Sequence, residues 1–409
     1  MKLGGKKISL TTQVFVAMIL GALFGLIIGE PMIQLGFIGD IWLNMIKMIV
    51  VPMVIVTIVT GITSQKDTKS LGRISIRIMA FYLITTLVAT GIGLAVALLV
   101  KPGNIANFTG LASQEISGST DITIAEFFKS MFSSNMFETF ANGNILQTLI
   151  ISVLVGIAIL RMKNEDFKNT VTKGFNALSE MVFSLIGMIM LLSPIGIFFL
   201  MANSFATYGA GIFTSMATLA GTYYLACLIH IFLIYGGTLW FTAGINPLRF
   251  LKDSAELWIY TIATCSSIAS IPINIKVAKE KFDVPESISG FTIPLGSQMN
   301  YDGSVILYGV VIVFISQVVG QPLDIGTMIK VIFLSAIFST GGGGIPGSGI
   351  VKLLVMVEAF GLPVEIVGII ASFYRLFDMG TTTNNCLGDL AGTIFVDRLE
   401  KKSLNNFTN

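Results

Sequence analysis

The segment 338–349, "FSTGGGGIPGSG", lies in an apolar part of the chain and contains four consecutive glycines at 341–344. Glycine loses more conformational freedom on folding than any other residue, so such a run does not sustain a helix. Non-helical backbone at membrane depth is tolerated only where it is buried in protein or lines a cavity. The segment therefore predicts a hairpin whose tip lies inside a membrane, rather than a helix that crosses it.

The composition of the chain supports a membrane setting. Of the 409 residues, 54% are hydrophobic and only 12% are charged, whereas a soluble domain carries roughly 25% charged residues. The net charge of +2, without a Lys/Arg-rich block, argues against a nucleic-acid partner. The three cysteines are widely spaced, which indicates neither a disulfide framework nor a zinc site. The lone His230 is interpreted as a packed helix residue rather than a metal ligand.

The first part of the chain predicts simple membrane spans. Lysine and arginine cluster in alternate connections between the apolar runs, so the positive-inside rule predicts that both termini are cytoplasmic. The first run is long enough to span a bilayer, and we interpret it as a retained helix rather than a signal peptide. The apolar runs are 12–30, 38–63, 76–100, 145–161, 178–204 and 215–243.

A second interrupted segment makes the hairpin part of a repeat. In 261–272, "TIATCSSIASIP", serines and a proline again interrupt an apolar run. Each interrupted segment is followed by a long helix with polar residues, "GSQMNYDGS" (296–304) after the first and "RLFDMGTTTNNCLGD" (375–389) after the second. The charge pattern makes one hairpin enter from the cytoplasm and the other from outside, so the repeat is inverted. Such paired, interrupted segments indicate the binding site of a transporter.

The polar residues of 375–389 form one stripe. Asp378, Thr382, Asn385 and Asp389 are spaced by four, three and four residues, which places them on one face of a helix. Polar groups can simply join helices in a bundle. Two carboxylates are unusual in that role, because an ionised group at mid-membrane is costly unless it is paired or hydrated. The stripe therefore indicates a binding site.

Asn300 and Asp302 predict a cation site on a broken helix. Residues two apart point to different sides of an intact helix, so both can serve one site only where the helix is interrupted, and Gly303 favours a break. Freed backbone carbonyls and side-chain oxygens suit a hard cation such as sodium. The patch formed by Tyr82 and Thr85 with Thr86 is weaker, because threonine often bonds to its own helix.

Four motifs carry a resemblance to the dicarboxylate/amino acid:cation symporter family, the glutamate-transporter homologues. They are "CSSIASIP", "NYDGS", "GGGGIPGSG" and "DMGTTTNNCLGD". The resemblance covers essentially the whole chain and implies a secondary transporter, not an enzyme. It implies an all-α polytopic membrane protein with eight transmembrane helices plus two re-entrant helical hairpins, built from inverted repeats, that forms a homotrimer and moves by an elevator mechanism.

The same resemblance predicts a division into scaffold and transport segments. The predicted segments are scaffold spans 1–2 (1–75), transport span 3 (76–101), the excursion with scaffold span 4 (102–177), scaffold span 5 (178–214), transport span 6 (215–245), hairpin 1 (246–287), span 7 (288–320), hairpin 2 (321–358) and span 8 (359–399).

Roles for the substrate-binding residues are carried over from the family. Asp378 is implied to hold the α-amino group, and Thr382 and Asn385 the rest of the amino-acid head. The side-chain end of the substrate is implied to lie against Gly349 and Ser304. The residues implied to cradle the α-carboxylate are Ser266, Ser267, Gly344 and Ile345.

The resemblance also implies sodium ions as co-transported ligands. Tyr301 and Gln298 depart from the family's pattern for a second sodium site, so the stoichiometry stays open and proton coupling is the rival interpretation. The predicted first site is Asn300, Asn385 and Asp389, the innermost site is Tyr82, Thr85, Thr86, Asn300 and Asp302, and Gly296 and Ser339 complete the predicted set.

The substrate is predicted from a departure at Thr381. Carriers of acidic amino acids have arginine at this position, where it pairs with the side-chain carboxylate of the substrate. A threonine hydroxyl does not neutralise that carboxylate, so the pattern favours a small neutral amino acid such as serine, threonine or alanine. The alternative is a proton- or sodium-coupled symporter of glutamate, aspartate or a dicarboxylate. Arg375 is predicted to gate the site or to pair with Asp378.

Two other function classes fit the sequence less well. A passive channel favours a ring-like polar pore over ligands clustered on broken helices. A sensor needs an appended signalling domain, and these 409 residues predict none. The predicted location is the prokaryotic inner membrane, with lipid and a small amino acid as partners.

Overall fold

A computed structural model describes residues 2–3, 6–7, 10–63, 72–105, 132–339 and 348–408. The predicted site residues Gly344 and Ile345 lie outside the described residues. Almost all of the described chain is helical, and its two short strands, β1 (Lys2–Leu3) and β2 (Lys6–Lys7), form an antiparallel pair at the N-terminus. The predicted all-α class is therefore confirmed for the body of the described chain.

The first half of the chain contributes helices that follow the predicted apolar runs. A short 3₁₀ turn, Pro102–Ile105, follows α4. The helices are α1 (Leu10–Ile28), α2 (Glu30–Gln34), α3 (Phe37–Thr63), α4 (Gly72–Val100), α5 (Met136–Ala141), α6 (Ile145–Leu160), α7 (Glu165–Leu191), α8 (Ser193–Tyr208) and α9 (Gly211–His230).

The second half consists of shorter, interrupted helices. A π-helical turn, Ile231–Gly236, joins α9 to the next helix. The helices are α10 (Gly237–Ala243), α11 (Pro247–Asp253), α12 (Ala255–Thr264), α13 (Ser267–Phe282), α14 (Glu286–Met299), α15 (Asp302–Val318), α16 (Ile325–Ser339), α17 (Ser348–Ala359), α18 (Glu365–Ser372) and α19 (Tyr374–Thr408).

Several segments are long and apolar enough to cross a membrane. Among the described residues there are five of them, and three shorter apolar helices accompany them. The exact count of eight spans with two re-entrant hairpins stays a prediction. The five segments are Glu30–Thr60, Arg73–Asn104, Glu165–Leu191, Gly211–Ala243 and Glu286–Val318.

The apolar run at 178–204, predicted as one stretch, is divided in the structure. Helix α7 begins already at Glu165 and ends at Leu191, and α8 begins at Ser193 with Pro194 in its first turn. Proline lacks the N–H that a continuing helix requires and is favoured in a first turn. The sequence reading missed this division because both halves are apolar.

The core is built around α15, in which every residue from Asp302 to Ser316 is buried. Helix α4 crosses it closely at two glycines. A Cβ on Gly93 would lie 2.6 Å from the Ile306 carbonyl oxygen, and one on Gly309 would lie 3.0 Å from that of Thr90. Small residues at such crossings let helix backbones approach each other.

The first interrupted segment forms two helices, α12 and α13, that pack against each other. Between them Cys265 adopts a left-handed conformation, with φ of 50°. The Ser266 side chain accepts a hydrogen bond from the Ala269 N–H at 3.3 Å and caps α13. In the second segment, α16 and α17 flank residues 340–347, so the predicted glycine tip lies outside the described residues.

The break predicted from the spacing of Asn300 and Asp302 is present. Helix α14 ends at Met299, Asn300 is extended, and α15 begins at Asp302. The break precedes Gly303, which is helical. Gly303 lacks a side chain for a different reason, since a Cβ there would lie 2.6 Å from the Thr381 carbonyl oxygen. The close approach brings α15 against α19.

Candidate functional site

A small cavity lies between α13, α17, the α14–α15 break and α19. Its lining combines one carboxylate, one ammonium group and several hydroxyls. The lining residues are Cys265, Ser267, Tyr301, Ser304, Gly349, Lys352, Tyr374, Asp378, Thr381, Thr382 and Asn385.

The structure thus brings most of the predicted substrate residues together. Seven of them line the cavity, namely Ser267, Ser304, Gly349, Asp378, Thr381, Thr382 and Asn385. Ser266 lies at the adjacent turn as the cap of α13. The stripe on α19 forms because that helix is continuous through Asp378 and Asp389, as its spacing predicts.

Asp378 is the carboxylate of the cavity and is only 7% exposed. The Arg375 guanidinium lies 3.7 Å from its Oδ2, so the predicted pairing of the two residues is geometrically available. The Thr381 hydroxyl donates to the Asp378 backbone carbonyl at 3.1 Å and approaches Oδ1 at 3.4 Å. Thr381 is therefore engaged within its own helix.

The residues of the predicted first cation site lie together beside the cavity. Asn300 Nδ2 donates to the Asn385 carbonyl and to Asp389 Oδ1, both at 3.0 Å. Gly296 lies against Asp389, and a Cβ there would overlap its carboxylate. Asn300 Oδ1 is buried without a hydrogen-bond partner among the described residues. An unpaired oxygen beside a buried carboxylate fits a sodium ion, which takes oxygen ligands.

The predicted innermost site gathers around Asp302, which is fully buried. Its Oδ1 accepts a hydrogen bond from the Thr86 hydroxyl at 2.7 Å, and its Oδ2 accepts one from Tyr235 at 2.8 Å. Thr86 also lies 3.3 Å from the Ser339 hydroxyl, which donates to the Met299 carbonyl. The α14–α15 break is thus tied to α4 and α16.

Two residues predicted for the innermost site, Thr85 and Tyr82, donate their hydroxyl hydrogens to backbone carbonyls rather than to Asp302. Thr85 donates to the Tyr82 carbonyl of its own helix at 3.2 Å. The Tyr82 hydroxyl donates to the Thr292 carbonyl on α14 at 3.1 Å. Both side chains are buried beside the cluster. Their direct contact with a cation stays a prediction.

Sequence reasoning missed several residues of the site. Lys352 and Tyr374 line the cavity, and Tyr235 reaches Asp302 from the π-helical turn, a feature often found at functional sites. His230 is buried as predicted, with its ring 4.6 Å from Tyr235 and Nε2 3.8 Å from Asp302 Oδ2. Of these, only Lys352 had a sequence signal, because an ionisable residue inside an apolar run indicates function.

Known proteins resemble this chain over almost its whole length. The profile of the Sodium:dicarboxylate symporter family matches residues 10–399. A "Proton/sodium-glutamate symport protein" of Bacillus caldotenax is 31% identical over 405 residues, which cover 97% of this chain and 95% of the relative. A "C4-dicarboxylate transport protein" of Bacillus subtilis (strain 168) is 31% identical over 407 residues, which cover 96% and 94%.

These names bear on two predictions. The resemblance inferred from the four motifs is confirmed, and so is the prediction of a transporter rather than an enzyme, since the family consists of symporters. The neutral substrate inferred from Thr381 finds no support, because the relatives are named for glutamate and C4-dicarboxylates. Because the family match extends over residues 10–399, nearly the whole sequence, the chain belongs to the Sodium:dicarboxylate symporter family.

Proposed function

We propose that this protein is a secondary symporter that couples cation entry to uptake of an acidic amino acid or a dicarboxylate. One observation carries the proposal: a buried cavity that contains cationic and anionic side chains adjoins a cluster of oxygen ligands suited to a cation. The names of the relatives supply the substrate class. This is the alternative to the neutral substrate expected from Thr381.

Asp378 favours an acidic amino acid over a simple dicarboxylate. A buried carboxylate in the cavity suits a substrate ammonium group, whereas a substrate with two carboxylates and no ammonium group meets a like charge. Arg375 lies close enough to Asp378 to offset part of that repulsion. Glutamate or aspartate therefore fits the charges of the cavity better than succinate or malate does.

Asn385 provides a direct route for coupling. Its side chain lines the substrate cavity, and its Oδ1 accepts a hydrogen bond from the Gly303 N–H at 2.8 Å. Its backbone carbonyl accepts a hydrogen bond from Asn300 in the proposed cation site. A cation that fixes Asn300 and Asp389 also fixes Asn385, so cation and substrate each favour the same arrangement.

The proposed coupling ion is sodium, with protons as the alternative. Asn300, Asn385 and Asp389 supply neutral and anionic oxygens, and Asp302 supplies a second carboxylate nearby. Two buried carboxylates repel each other, and a bound cation relieves that repulsion. The same proposal includes the innermost cation site, with Tyr82, Thr85, Thr86, Asn300 and Asp302 as its residues. Gly296 and Ser339 complete the proposed set of cation ligands.

The larger mechanism is proposed from family membership. We infer a homotrimer in a prokaryotic inner membrane, with cytoplasmic termini and eight spans plus two hairpins. In the elevator motion, the hairpins and the last two spans slide against a scaffold that includes the first two spans. The proposed boundaries of these segments are those given by the sequence.

Uptake into sealed proteoliposomes tests the function. Radiolabelled glutamate, aspartate, succinate and serine are each offered with an inward sodium gradient, with a pH gradient, and with neither. The proposal predicts concentrative glutamate or aspartate uptake that requires the sodium gradient. Uptake of serine alone would instead support the neutral-substrate interpretation, and equal sodium-free uptake under a pH gradient would assign the coupling to protons.

A further inference from the structure

Lys352 is a buried ammonium group without a described anionic partner. It lies on α17, the second arm of the second hairpin, and is only 3% exposed. Its Nζ has no hydrogen-bond partner among the described residues. The Nζ atom lies over the Tyr301 ring, 4.0 Å from the ring centroid. A buried charge is costly unless it is paired and hydrogen-bonded. Such a group indicates a site for an anion.

The surroundings of Lys352 place that anion in the substrate cavity. Lys352 lines the same cavity as Asp378, Thr381 and Thr382. The other cation beside the cavity, Arg375, lies within ion-pair distance of Asp378. Lys352 also lines the cavity, but its Nζ is not bonded to any carboxylate among the described residues.

The position of Lys352 explains how the cavity can bind a carboxylate although residue 381 is a threonine rather than an arginine. The Thr381 hydroxyl bonds within α19 and carries no charge to offer a substrate carboxylate. Lys352 supplies a positive charge to the cavity from a different helix, α17. Asp378 and Lys352 together give the cavity one anionic and one cationic side chain, which complement an ammonium group and a carboxylate on one substrate.

We propose that Lys352 binds the side-chain carboxylate of an acidic amino acid and thereby decides the choice between acidic and neutral substrates. The inference rests on the proposed function, because it assumes an acidic amino acid in this cavity. Lys352 is a specificity-determining residue in this assignment, and Asp378 binds the amino group. A carboxylate near Nζ also stabilises the charged form of the lysine.

The test removes the positive charge of Lys352 on α17 and then introduces a positive charge on α19. Lys352→Met removes the ammonium group and keeps much of its apolar stem. The double variant Lys352→Met/Thr381→Arg returns a cation to the cavity from α19. Lys330→Met is the matched control, a lysine on the other arm of the same hairpin that does not line the cavity. Uptake of glutamate, glutamine and serine into proteoliposomes is measured for each protein.

The proposal predicts that Lys352→Met raises KM for glutamate by roughly 30-fold or more, as expected when one partner of a buried charge pair is removed. Serine and glutamine uptake should be retained or should increase. The double variant should recover glutamate uptake, and Lys330→Met should match the wild type. An unchanged KM for glutamate in Lys352→Met would overturn the assignment while leaving the proposed function intact. A wild type that transports succinate but neither glutamate nor aspartate would also overturn the assignment of Lys352. A wild type that transports none of the three would instead overturn the proposed function.

Folding is controlled by a second pair of variants. If Lys352→Met does not fold, Lys352→Gln keeps a polar group and Lys352→Arg keeps the charge. Glutamate uptake by Lys352→Arg together with selective loss of glutamate uptake in Lys352→Gln supports the proposal. Equal glutamate KM values in Lys352→Gln and Lys352→Arg contradict it, as does a folded double variant that transports serine but not glutamate.

Discussion

At the scale of single residues, the proposed cation site depends on Asn300. Its Nδ2 joins Asn385 to Asp389, and its Oδ1 is available to a cation. We expect Asn300→Ala to weaken sodium activation of uptake by roughly tenfold or more, because a hydrogen bond to a charged group contributes about 1.5–3 kcal/mol. Saturating sodium should restore much of the substrate affinity.

The measurement is the sodium concentration that gives half-maximal glutamate uptake. Asn274→Ala is the control, since Asn274 is also buried and donates to a carbonyl of α19, that of Cys386, but lies outside the proposed site. Equal sodium activation in the two variants would remove Asn300 from the cation site.

Site residues could be predicted from the sequence where their spacing along one helix determines their positions. The α19 stripe and the Asn300/Asp302 break follow from helix periodicity, and both are present. Lys352 and Tyr235 could not be placed in this way, because their partners are distant in sequence and lie on other helices. Thr381 consequently led to a neutral substrate, since the charge that compensates for it comes from α17.

At the scale of elements, the α4–α15 crossing depends on Gly93. A Cβ at this position would lie 2.6 Å from the Ile306 carbonyl oxygen, so the helices must separate to accept alanine. We expect Gly93→Ala to lower the stability by about 1–3 kcal/mol, the usual cost of overpacking. Thermal unfolding of the purified protein in detergent measures the effect.

The same helix provides a control in Gly91, where an added Cβ meets nothing within 4 Å. Gly91→Ala should leave the stability unchanged or raise it slightly, because alanine favours a helix. A loss of similar size in both variants would show that the crossing is not the cause.

The start of α16 depends on Asp324, which precedes the helix. Asp324 accepts hydrogen bonds from the Thr327 hydroxyl at 2.6 Å and from its N–H at 3.0 Å. These bonds hold the pKa of the Asp324 carboxyl below its usual range. The stabilisation is therefore present above the ordinary aspartate pKa and is lost as the pH falls through the lowered value.

We expect Asp324→Ala to lower the unfolding temperature at pH 7 by a small amount, as the loss of a helix cap does. The difference between the wild type and the variant should shrink as the pH is lowered below about 4. A difference that is constant from pH 7 to pH 3 would mean that the carboxylate charge does not contribute.

Helix ends were harder to predict where the residues on both sides of the boundary are apolar. The division between α7 and α8 at Leu192 falls inside a run that hydropathy alone reads as continuous. The first hairpin turn was easier to locate, because serines and a proline interrupt the run. Hydropathy therefore identifies membrane segments better than it identifies where their helices end.

At the scale of the whole molecule, one break in a helix connects the proposed cation site to the proposed substrate cavity. The α14–α15 break contributes Asn300 to the cation cluster, while Tyr301 and Ser304 line the substrate cavity. Helix α19 contributes to both, through Asp389 on one side and Asp378 on the other. Binding of cation and substrate should therefore be linked, and the linkage should be reciprocal.

Calorimetry of glutamate binding to the purified protein, at low and at high sodium, tests this linkage directly. We expect sodium to tighten glutamate binding, glutamate to tighten sodium binding by the same factor, and serine to compete only weakly. Glutamate binding that is independent of both sodium and pH, or serine that competes as well as glutamate, would contradict it.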